Sequence, residues 1–403
     1  MAAGGFSDAR LARIGEAMAR HVNVAEGGTG VAGVVTLLER HGELAYADAQ
    51  GYRDAQARTP IARDSIFRIA SMTKPITTVA ALMLREEGRL ELGDPIEKWL
   101  PEFATPRVLR TPEGSIDDTV AAQQPITVFD LLTHRAGLAY DFTAPPALAA
   151  LYSQAFNGLH TRASTDECVR RLAALPLLYQ PGERWFYSVS IDVLGVLIAR
   201  LSGMTLGEFF RTRIFDPLGM RDTGFTLRDD QAARMTTAYV FNDSTNNVLV
   251  ADHAAESVWS HQGRFEGGGG GLISTADDYL QFAKLMLGRG RANGVRLLSH
   301  ASVDLMTSNV MRAEERLRPT FVLDFWAGQT FGLGVSITDD PFKRLPFGYR
   351  SVGAYSWGGA FGTNWLADPR EDMIGIFMIQ RRSESFFSMS GEFERLAYDA
   401  IDD

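Results

Sequence analysis

Residues 69–77, IASMTKPIT, place Ser71 and Lys74 three positions apart and follow them with Pro75. Because proline has no N–H, a helix tolerates it only within the first turn, so we expect a helix that begins near Ser71. Residues three apart share one helix face, which brings the lysine amine within reach of the serine oxygen. A serine hydroxyl is a weak nucleophile that needs a neighbouring base. The spacing therefore predicts Ser71 as a nucleophile and Lys74 as its base.

The same helix start offers a second chemical group. The backbone N–H of Ser71 would lie unpaired at the positive end of the helix dipole, where it can stabilise a developing oxyanion. A lysine acts as a base only when it is desolvated, and the apolar residues Ile69, Met72, Ile76 and Val79 flank the pair. The alternative is chance spacing at an ordinary helix start. Two observations favour chemistry: lysine occurs only at positions 74, 98, 284 and 343, and no other serine has a lysine three residues on.

These residues need a scaffold, and the pattern of the chain predicts three zones. VAGVVTLLER and ELAYADAQGY, joined at residues 41–43, carry the apolar and β-branched residues of a β-hairpin. Residues 71–270 show mainly helical periodicity; SVGAYSWGGA, FGTNWLADP and DMIGIFMIQ then predict a three-stranded antiparallel meander, followed by a last helix at 392–401. If hairpin and meander share a sheet, residues 1–70 and 271–403 form one α/β domain and residues 71–270 a mostly helical inserted domain.

Composition limits the classes of partner. The 403 residues carry a formal net charge of -9 without a basic stripe, which argues against nucleic acid. Cys168 is the single cysteine and the seven histidines show no metal-ligand spacing, so we expect no disulfide, no metal and no cofactor. The N-terminal segment has the pattern of a polar amphipathic helix and no apolar run reaches bilayer length, so we expect a cytoplasmic protein without a membrane partner. The oligomeric state is left open.

Four segments carry a resemblance to a known family. FRIASMTKPITTVAALMLREEGRLELGDPIEKWLPEF resembles the nucleophile helix of the serine β-lactamase and D,D-peptidase superfamily. LLTHRAGL at 131–138, PGERWFYSVSIDVLGVLIARLSG at 181–203 and GGGGGLISTADDYLQFAKLML at 267–287 follow in the order of that superfamily. The likeness is greatest to its esterase branch, the family VIII carboxylesterases. The resemblance implies an α/β (α+β) fold of the β-lactamase and penicillin-binding-protein type, with an antiparallel sheet flanked by helices and an inserted, mostly helical domain.

The resemblance also implies the remaining catalytic groups. Tyr187 in WFYSVS matches the tyrosine that begins the second motif of the esterase branch. Its phenol would share a proton with Lys74 and Ser71 and then protonate the departing alkoxide. The Lys-Thr-Gly triplet of the lactamases is replaced by Trp357-Gly358-Gly359, and the N–H of Ala360 would be the second oxyanion donor opposite that of Ser71.

The departures from the lactamase pattern bear on the substrate. Trp357 stands where lactamases have a lysine that helps to recognise a carboxylate, and Val189 stands where they have an asparagine. Both changes suit uncharged esters better than β-lactams. Tyr140 and Phe361 are predicted pocket walls, with core packing as the alternative for both. His134 is predicted to be a structural hydrogen-bonding residue, because the chain has no G-x-S-x-G elbow to pair with it.

The predicted function follows from these residues and from the resemblance. We expect a serine hydrolase that cleaves small carboxylic esters, with short acyl chains, through an acyl-enzyme formed on Ser71. The alternatives within enzymes are a β-lactamase, a D,D-peptidase or an acyltransferase of the same fold. From another class, a binding protein that has lost the chemistry would keep the fold alone.

Overall fold

The computed structural model describes residues 3–23, 30–156, 164–242, 247–260, 265–318, 320, 322–382 and 386–403. Its helices are α1 Asp8–His21, α2 Thr73–Glu86, α3 Val128–Leu132, α4 Pro146–Phe156, α5 Thr165–Ala173, α6 Ser190–Ser202, α7 Leu206–Phe210, α8 Asp216–Leu218, α9 Ala276–Leu287, α10 His300–Met306, α11 Pro341–Arg344 and α12 Phe386–Asp399. Its strands are β1 Gly33–Arg40, β2 Glu43–Asp54, β3 Thr59–Pro60, β4 Phe67–Arg68, β5 Arg107–Leu109, β6 Thr119–Ala121, β7 Ala238–Asn242, β8 Asn247–Asp252, β9 Ile273–Ser274, β10 Arg291–Ala292, β11 Val295–Arg296, β12 Gln329–Phe331, β13 Ser336–Thr338, β14 Tyr355–Ser356, β15 Asn364–Asp368, β16 Met373–Met378 and β17 Arg381–Arg382.

Eight strands form one antiparallel sheet in the order β12-β13-β14-β15-β16-β1-β2-β3. The predicted hairpin is present as β1 and β2, and the predicted meander as β14, β15 and β16. The two meet where Val35 of β1 lies opposite Met378 of β16. The beginning and the end of the chain therefore share one sheet.

Strand β1 shows why the sheet lies in the interior. All eight of its residues are buried, and alternate side chains point to opposite faces. Val34 and Leu38 pack with α1 and α12, whereas Val35 and Leu37 belong to the larger core that includes α2 and α9. The sheet is consequently covered by helices on both faces, as expected for an α/β arrangement.

Helix α2 carries the predicted catalytic pair and is almost completely enclosed. A 3-10 turn, Ala70–Met72, precedes it, so helical backbone begins close to the predicted start at Ser71. Pro75 is the third residue of α2, within the first turn, where a missing N–H leaves no intrahelical bond unmade. Every residue from Thr73 to Leu84 is buried, and the surrounding core therefore fixes the position of the helix.

The zone predicted as mostly helical also contains strands. The hairpin of β5 and β6 lies within it, and so does the pair β7 and β8. Strand β7 pairs in parallel with β17, near the other end of the sequence. Segments of three to six residues are too short to show a reliable period, which is why the sequence pattern missed them. The division into residues 1–70 with 271–403 and an insert at 71–270 stays a prediction.

A helix crosses a bilayer only if it is long enough and predominantly apolar. Over the described residues, no single helix is long and apolar enough to cross a membrane. The pair Ser190–Ser202 and Leu206–Leu218 reaches the required length and composition only together, and the two are bent by 78° relative to each other.

Candidate active site

Ser71 lies half-buried in the turn that precedes α2. Two hydrogen bonds reach its hydroxyl oxygen: Lys74 Nζ donates over 3.0 Å, and the Tyr187 hydroxyl donates over 2.7 Å. The preceding residue, Ala70, has a φ of 42°, a left-handed conformation that is strained for a residue with a side chain. The three residues predicted to carry the chemistry are therefore together, with both proton-transfer groups on the serine oxygen.

Lys74 is fully buried and has a fixed position. Besides its bond to Ser71, its amine donates to the carbonyl oxygen of Gly269 over 2.6 Å. The amine also lies 4.7 Å from the ring centre of Tyr187 and 5.3 Å from that of Tyr140, within the range of cation–π attraction. These contacts replace the water that the amine would have at the surface and point it at the serine.

A buried carboxylate, Asp192, lies on the other side of Gly269 from Lys74. Its Oδ1 accepts the Gly269 N–H over 2.9 Å, and its Oδ2 accepts the Tyr140 hydroxyl over 3.4 Å. A Cβ atom at position 269 would lie 2.3 Å from Asp192 Oδ2, so only glycine fits there. Burial raises the pKa of Asp192, and the positive charge of Lys74 opposes that rise. One residue, Gly269, thus connects a buried acid to the lysine through its N–H and its carbonyl oxygen.

The sequence analysis did not identify Asp192 as part of the site. The available signal was a single acid within the otherwise apolar run SIDVLGVLIA of α6. A buried acid requires partners. The sequence could not identify Gly269 as the partner, because the two residues are 77 positions apart.

Tyr187 lies in a cluster of aromatic rings. Trp357 Nε1 donates to the tyrosine hydroxyl oxygen over 3.4 Å, and the ring of His134 lies 4.9 Å from that of Tyr187 between centres. The Nδ1 atom of His134 is 3.4 Å from the Ser188 hydroxyl. Burial and the nearby positive charge of Lys74 hold the pKa of His134 well below its usual range. His134 therefore packs against Tyr187 as a neutral ring.

The segment Gly358, Gly359 and Ala360 lines the same cavity as Ser71. The Gly359 N–H donates to the Thr363 carbonyl over 2.7 Å, and a Cβ atom on Gly359 would lie 2.3 Å from the carbonyl oxygen of Ile69. This segment therefore approaches the backbone just before Ser71 more closely than a residue with a side chain allows. The oxyanion roles of the Ser71 and Ala360 N–H groups stay predictions that this proximity supports.

The cavity beside Ser71 has a volume of about 430 Å³, and Phe142 and Trp357 are among its walls. Among the described residues that line it, neither Tyr140 nor Phe361 is present. Tyr140 instead stacks against Phe142 at 5.0 Å between ring centres, and its ring centre lies 5.3 Å from the Lys74 amine. The sequence pattern located the aromatic wall to within two residues but could not tell which ring faces the cavity.

The same cavity also reaches a charged group, the arginine cluster, formed by Arg344, Arg350 and Glu394. Arg350 forms two bonds to the carboxylate, Nε to Oε2 over 2.9 Å and Nη2 to Oε1 over 2.5 Å. Arg344 Nη1 forms one, to Oε2 over 3.3 Å. Sequence reasoning did not identify this cluster, because up to 50 residues separate its members and nothing local distinguishes these arginines.

Two further kinds of group could take part in chemistry, namely a cluster of metal ligands and the lone thiol of Cys168. Among the described residues, no group of three or more His, Cys, Asp or Glu side chains could hold a metal ion. Cys168 is buried on α5, and burial raises the pKa of its thiol far above the usual value. A protonated thiol of this kind is neither a nucleophile nor a ligand.

Comparison with known proteins relates the chain to one family and to three individual proteins. The sequence model of the family described as Beta-lactamase matches residues 15–398. Protein Rv1367c of Mycobacterium tuberculosis is 40% identical over 87% of this chain and 86% of its own length, and Esterase EstB of Burkholderia gladioli is 30% identical over 92% of this chain and 90% of its own. The solved structure of EstCE1, described as a hydrolase with promiscuous acyltransferase activity, is 27% identical, has a TM-score of 0.77, and the match covers 98% of this chain and 99% of that one.

Proposed function

The chain belongs to the β-lactamase family, and from that premise we propose that it is a serine esterase, which cleaves carboxylic esters through an acyl-enzyme on Ser71. The predicted superfamily and fold are confirmed by the family match and by the structural neighbours. One observation carries the proposal: Lys74 and Tyr187 both hydrogen-bond the Ser71 oxygen inside a cavity. A nucleophile contacted by a desolvated amine and a phenol is equipped for acyl transfer.

In acylation, Ser71 Oγ attacks the ester carbonyl carbon while its proton passes to the pair formed by Lys74 and Tyr187. The carbonyl oxygen becomes an oxyanion, which the N–H groups of Ser71 and Ala360 would stabilise by about 3 kcal/mol each. When the tetrahedral intermediate collapses, the ester C–O bond breaks. The proton held by the pair then leaves with the alkoxide as the free alcohol.

Deacylation uses the same groups in the reverse direction. Water attacks the acyl carbon and gives a proton to the lysine and tyrosine pair, and a second oxyanion forms between the same N–H groups. The bond from carbon to Ser71 Oγ breaks, Ser71 takes the proton back, and the carboxylic acid leaves. Asp192 has a positioning role in this scheme, because it binds the N–H of Gly269, and the carbonyl oxygen of the same residue binds Lys74.

The cavity favours an ester over a β-lactam. Trp357 occupies the position of the lactamase lysine, and its indole N–H is directed at Tyr187, so no cation at that position contacts a substrate carboxylate. A volume of about 430 Å³ lies within the range of pockets that enclose whole small molecules. We therefore extend the expected acyl groups from short chains to chains of medium length.

The direct test is Ser71→Ala, assayed with p-nitrophenyl butyrate. We expect the value of kcat/KM to fall by about ten-thousandfold or more, because no other group can form the acyl-enzyme. Ser302→Ala is the control, since it makes the same substitution at a buried serine of α10, outside the cavity. A fluorophosphonate should label the wild-type chain at Ser71 and leave the Ser71→Ala variant unlabelled. Full activity in the variant would refute the assignment, and absence of labelling in the wild type would favour a non-catalytic binding protein.

A second candidate is acyl transfer to an alcohol, suggested by the description of EstCE1. The same acyl-enzyme would serve both reactions, because an alcohol can replace water as the attacking group. With a primary alcohol added to the assay, transfer predicts an ester product and less free acid per p-nitrophenol released. A parallel assay with nitrocefin measures any β-lactam hydrolysis, which we expect to be far slower than ester hydrolysis.

A further inference from the structure

The arginine cluster lines the cavity but has no part in the acyl-transfer scheme. Arg344 and Arg350 are 5% and 2% exposed, and Glu394 is 2% exposed. Both arginines nevertheless border the cavity that contains Ser71. Buried ionised side chains are costly unless their charges are balanced and their hydrogen bonds are made. The charges and hydrogen bonds within this cluster therefore indicate whether it can be stable without a bound ligand.

Within the part of the chain that the structure describes, the charges of the cluster are not balanced. Two guanidinium groups bind one carboxylate, Glu394, which leaves one positive charge without a directly bonded anion among these residues. The adjacent Tyr398 is neutral, because burial raises the pKa of its phenol far above the usual value. Asp368 receives the Tyr398 hydroxyl and two backbone N–H groups. Arg382, which also lines the cavity, adds positive charge at its exposed side.

Arg344 makes fewer hydrogen bonds than its N–H donors allow. Arg350 is fully engaged through two bonds to Glu394 and one to the Ser356 hydroxyl. Arg344 binds Glu394 only through Nη1, which it also directs at the Gly348 carbonyl over 2.6 Å. Its Nε atom is buried and has no hydrogen-bond partner in the part of the chain that the structure describes. Burial and the neighbouring Arg350 lower the pKa of Arg344 to about 10, which reflects the poor compensation of its charge.

We propose that the arginine cluster is a subsite for a carboxylate on the acyl group of the substrate, so that the enzyme accepts monoesters of dicarboxylic acids. One carboxylate neutralises the surplus charge of the two buried arginines. The guanidinium of Arg344 borders the cavity and can give a carboxylate a charge-assisted hydrogen bond. This inference rests on the proposed esterase function of Ser71.

The chain itself limits the length of the acyl group. Ser356 contacts Arg350, and Ala360 lies at the serine end of the cavity. Four residues of extended backbone span at most about 14 Å, so the Cα atoms of Ser356 and Ala360 lie within that distance of each other, and we expect an acyl chain of comparable length to reach from Ser71 to the cluster. The suberic acid chain is of suitable length. It is also long enough that its own carboxylate does not readily attack the ester, as it would in a succinate or glutarate monoester.

The first test needs only the wild-type enzyme and two esters. We expect kcat/KM for the p-nitrophenyl monoester of suberic acid to exceed that of methyl p-nitrophenyl suberate by about tenfold, through charge-assisted hydrogen bonds. In a cavity without the subsite, kcat/KM would be higher for the methyl ester than for the charged ester, because burying a carboxylate without a partner costs free energy. A ratio of one or below in an enzyme that cleaves the methyl ester overturns the subsite and leaves the esterase assignment intact. Failure to cleave either ester overturns the esterase assignment itself.

The second test is Arg344→Met, which leaves the two bonds between Arg350 and Glu394 in place. We expect the preference for the charged ester to fall by about tenfold while kcat/KM for the methyl ester stays within about twofold. Lys343→Met is the matched control: it removes the same charge from the preceding residue of α11, whose side chain is 73% exposed, and should leave the ratio unchanged. An equal loss on both esters in Arg344→Met would identify a purely structural role and refute the proposal. If the variant does not fold, the wild-type ratio decides alone.

Discussion

The cavity has two charged regions, and they differ in how their charges are balanced. At the proposed catalytic end, formed by Ser71, Lys74 and Tyr187, the buried amine has the carboxyl group of Asp192 near it, and the two are joined through the backbone of one residue, Gly269. In the arginine cluster, two cations share the single carboxylate of Glu394. The first region is complete without a charged ligand, whereas the second has one positive charge available for one.

The two regions also differ in what their cations can do. An amine can lose its proton, but a guanidinium stays charged at all relevant pH values. Lys74 can therefore take part in proton transfer with Ser71, whereas Arg344 can only attract and orient an anion. Burial alone therefore does not define the role of a cation. The number of anions beside it and its ability to release a proton decide whether it transfers a proton or binds an anionic substrate.

The largest effect should come from the catalytic end. Tyr187→Phe removes the hydroxyl that donates to Ser71 and should lower kcat by about a thousandfold, because proton delivery to the leaving group is lost. The thermal midpoint should change little. Steady-state assays with p-nitrophenyl butyrate and a thermal melt measure the two quantities.

The control for that variant is Tyr152→Phe. Tyr152 is also fully buried, but its oxygen accepts the Ala139 N–H outside the cavity. Its loss should reduce stability and leave kcat of the folded enzyme near the wild-type value. If Tyr187→Phe kept its full rate, Tyr187 would have no place in the mechanism.

In the arginine cluster, we expect a substitution to change the stability of the fold. Glu394→Gln leaves two buried guanidinium groups without an anion and should lower the free energy of unfolding by about 4 kcal/mol, a typical cost of breaking a buried ion pair. Urea denaturation measures this change. Glu392→Gln on the same helix is the control, because its pairs with Arg20 and His21 are partly exposed and should contribute about 1 kcal/mol or less. Equal losses in the two variants would contradict the unbalanced charge assigned to the cluster.

A third buried carboxylate, Glu315, gives a further contrast, because it binds the buried Arg135 and also Arg312, whose side chain is 50% exposed and keeps contact with water. Burial alone would raise the pKa of Glu315, but bonds from Arg135 and the Arg312 N–H lower it to about 2. A carboxyl with a lowered pKa stabilises the fold above its unfolded value near 4.3, and that stabilisation disappears as the pH falls toward 2. Glu315→Gln should therefore cost about 3 kcal/mol at neutral pH and progressively less below about pH 4.

The measurement for this carboxylate is urea denaturation of wild type and variant as a function of pH. Glu314→Gln is the control, since the side chain of Glu314 is 65% exposed and its pair with Arg312 is loose. The difference between wild type and Glu315→Gln should narrow on acidification, whereas the control should follow the wild type at every pH. A difference that did not depend on pH would show that the charge of Glu315 is not what stabilises the fold.

Prediction from sequence succeeded where the physical signal was local. The period of two in β1 and β2, and the rule that places Pro75 in a first helical turn, each depend on a few consecutive residues. The pairing of Ser71 with Lys74 follows from the same helix geometry. Tyr140, the predicted wall, is not among the described lining residues and Phe142 is, because side-chain direction in an irregular segment depends on neighbours from other parts of the chain.

The sequence predicted Ser71 as the nucleophile, Lys74 as its base, a sheet shared by both ends of the chain and, through the family resemblance, Tyr187 as the third catalytic group. The tertiary structure alone shows that Asp192 accepts the N–H of Gly269, whose carbonyl oxygen binds Lys74, and that Arg344 and Arg350 share one carboxylate at the cavity. The physical reason is the range of the forces involved. Backbone conformation and helix periodicity act over a few residues, whereas the charge balance of a buried site is set by side chains that only folding brings together.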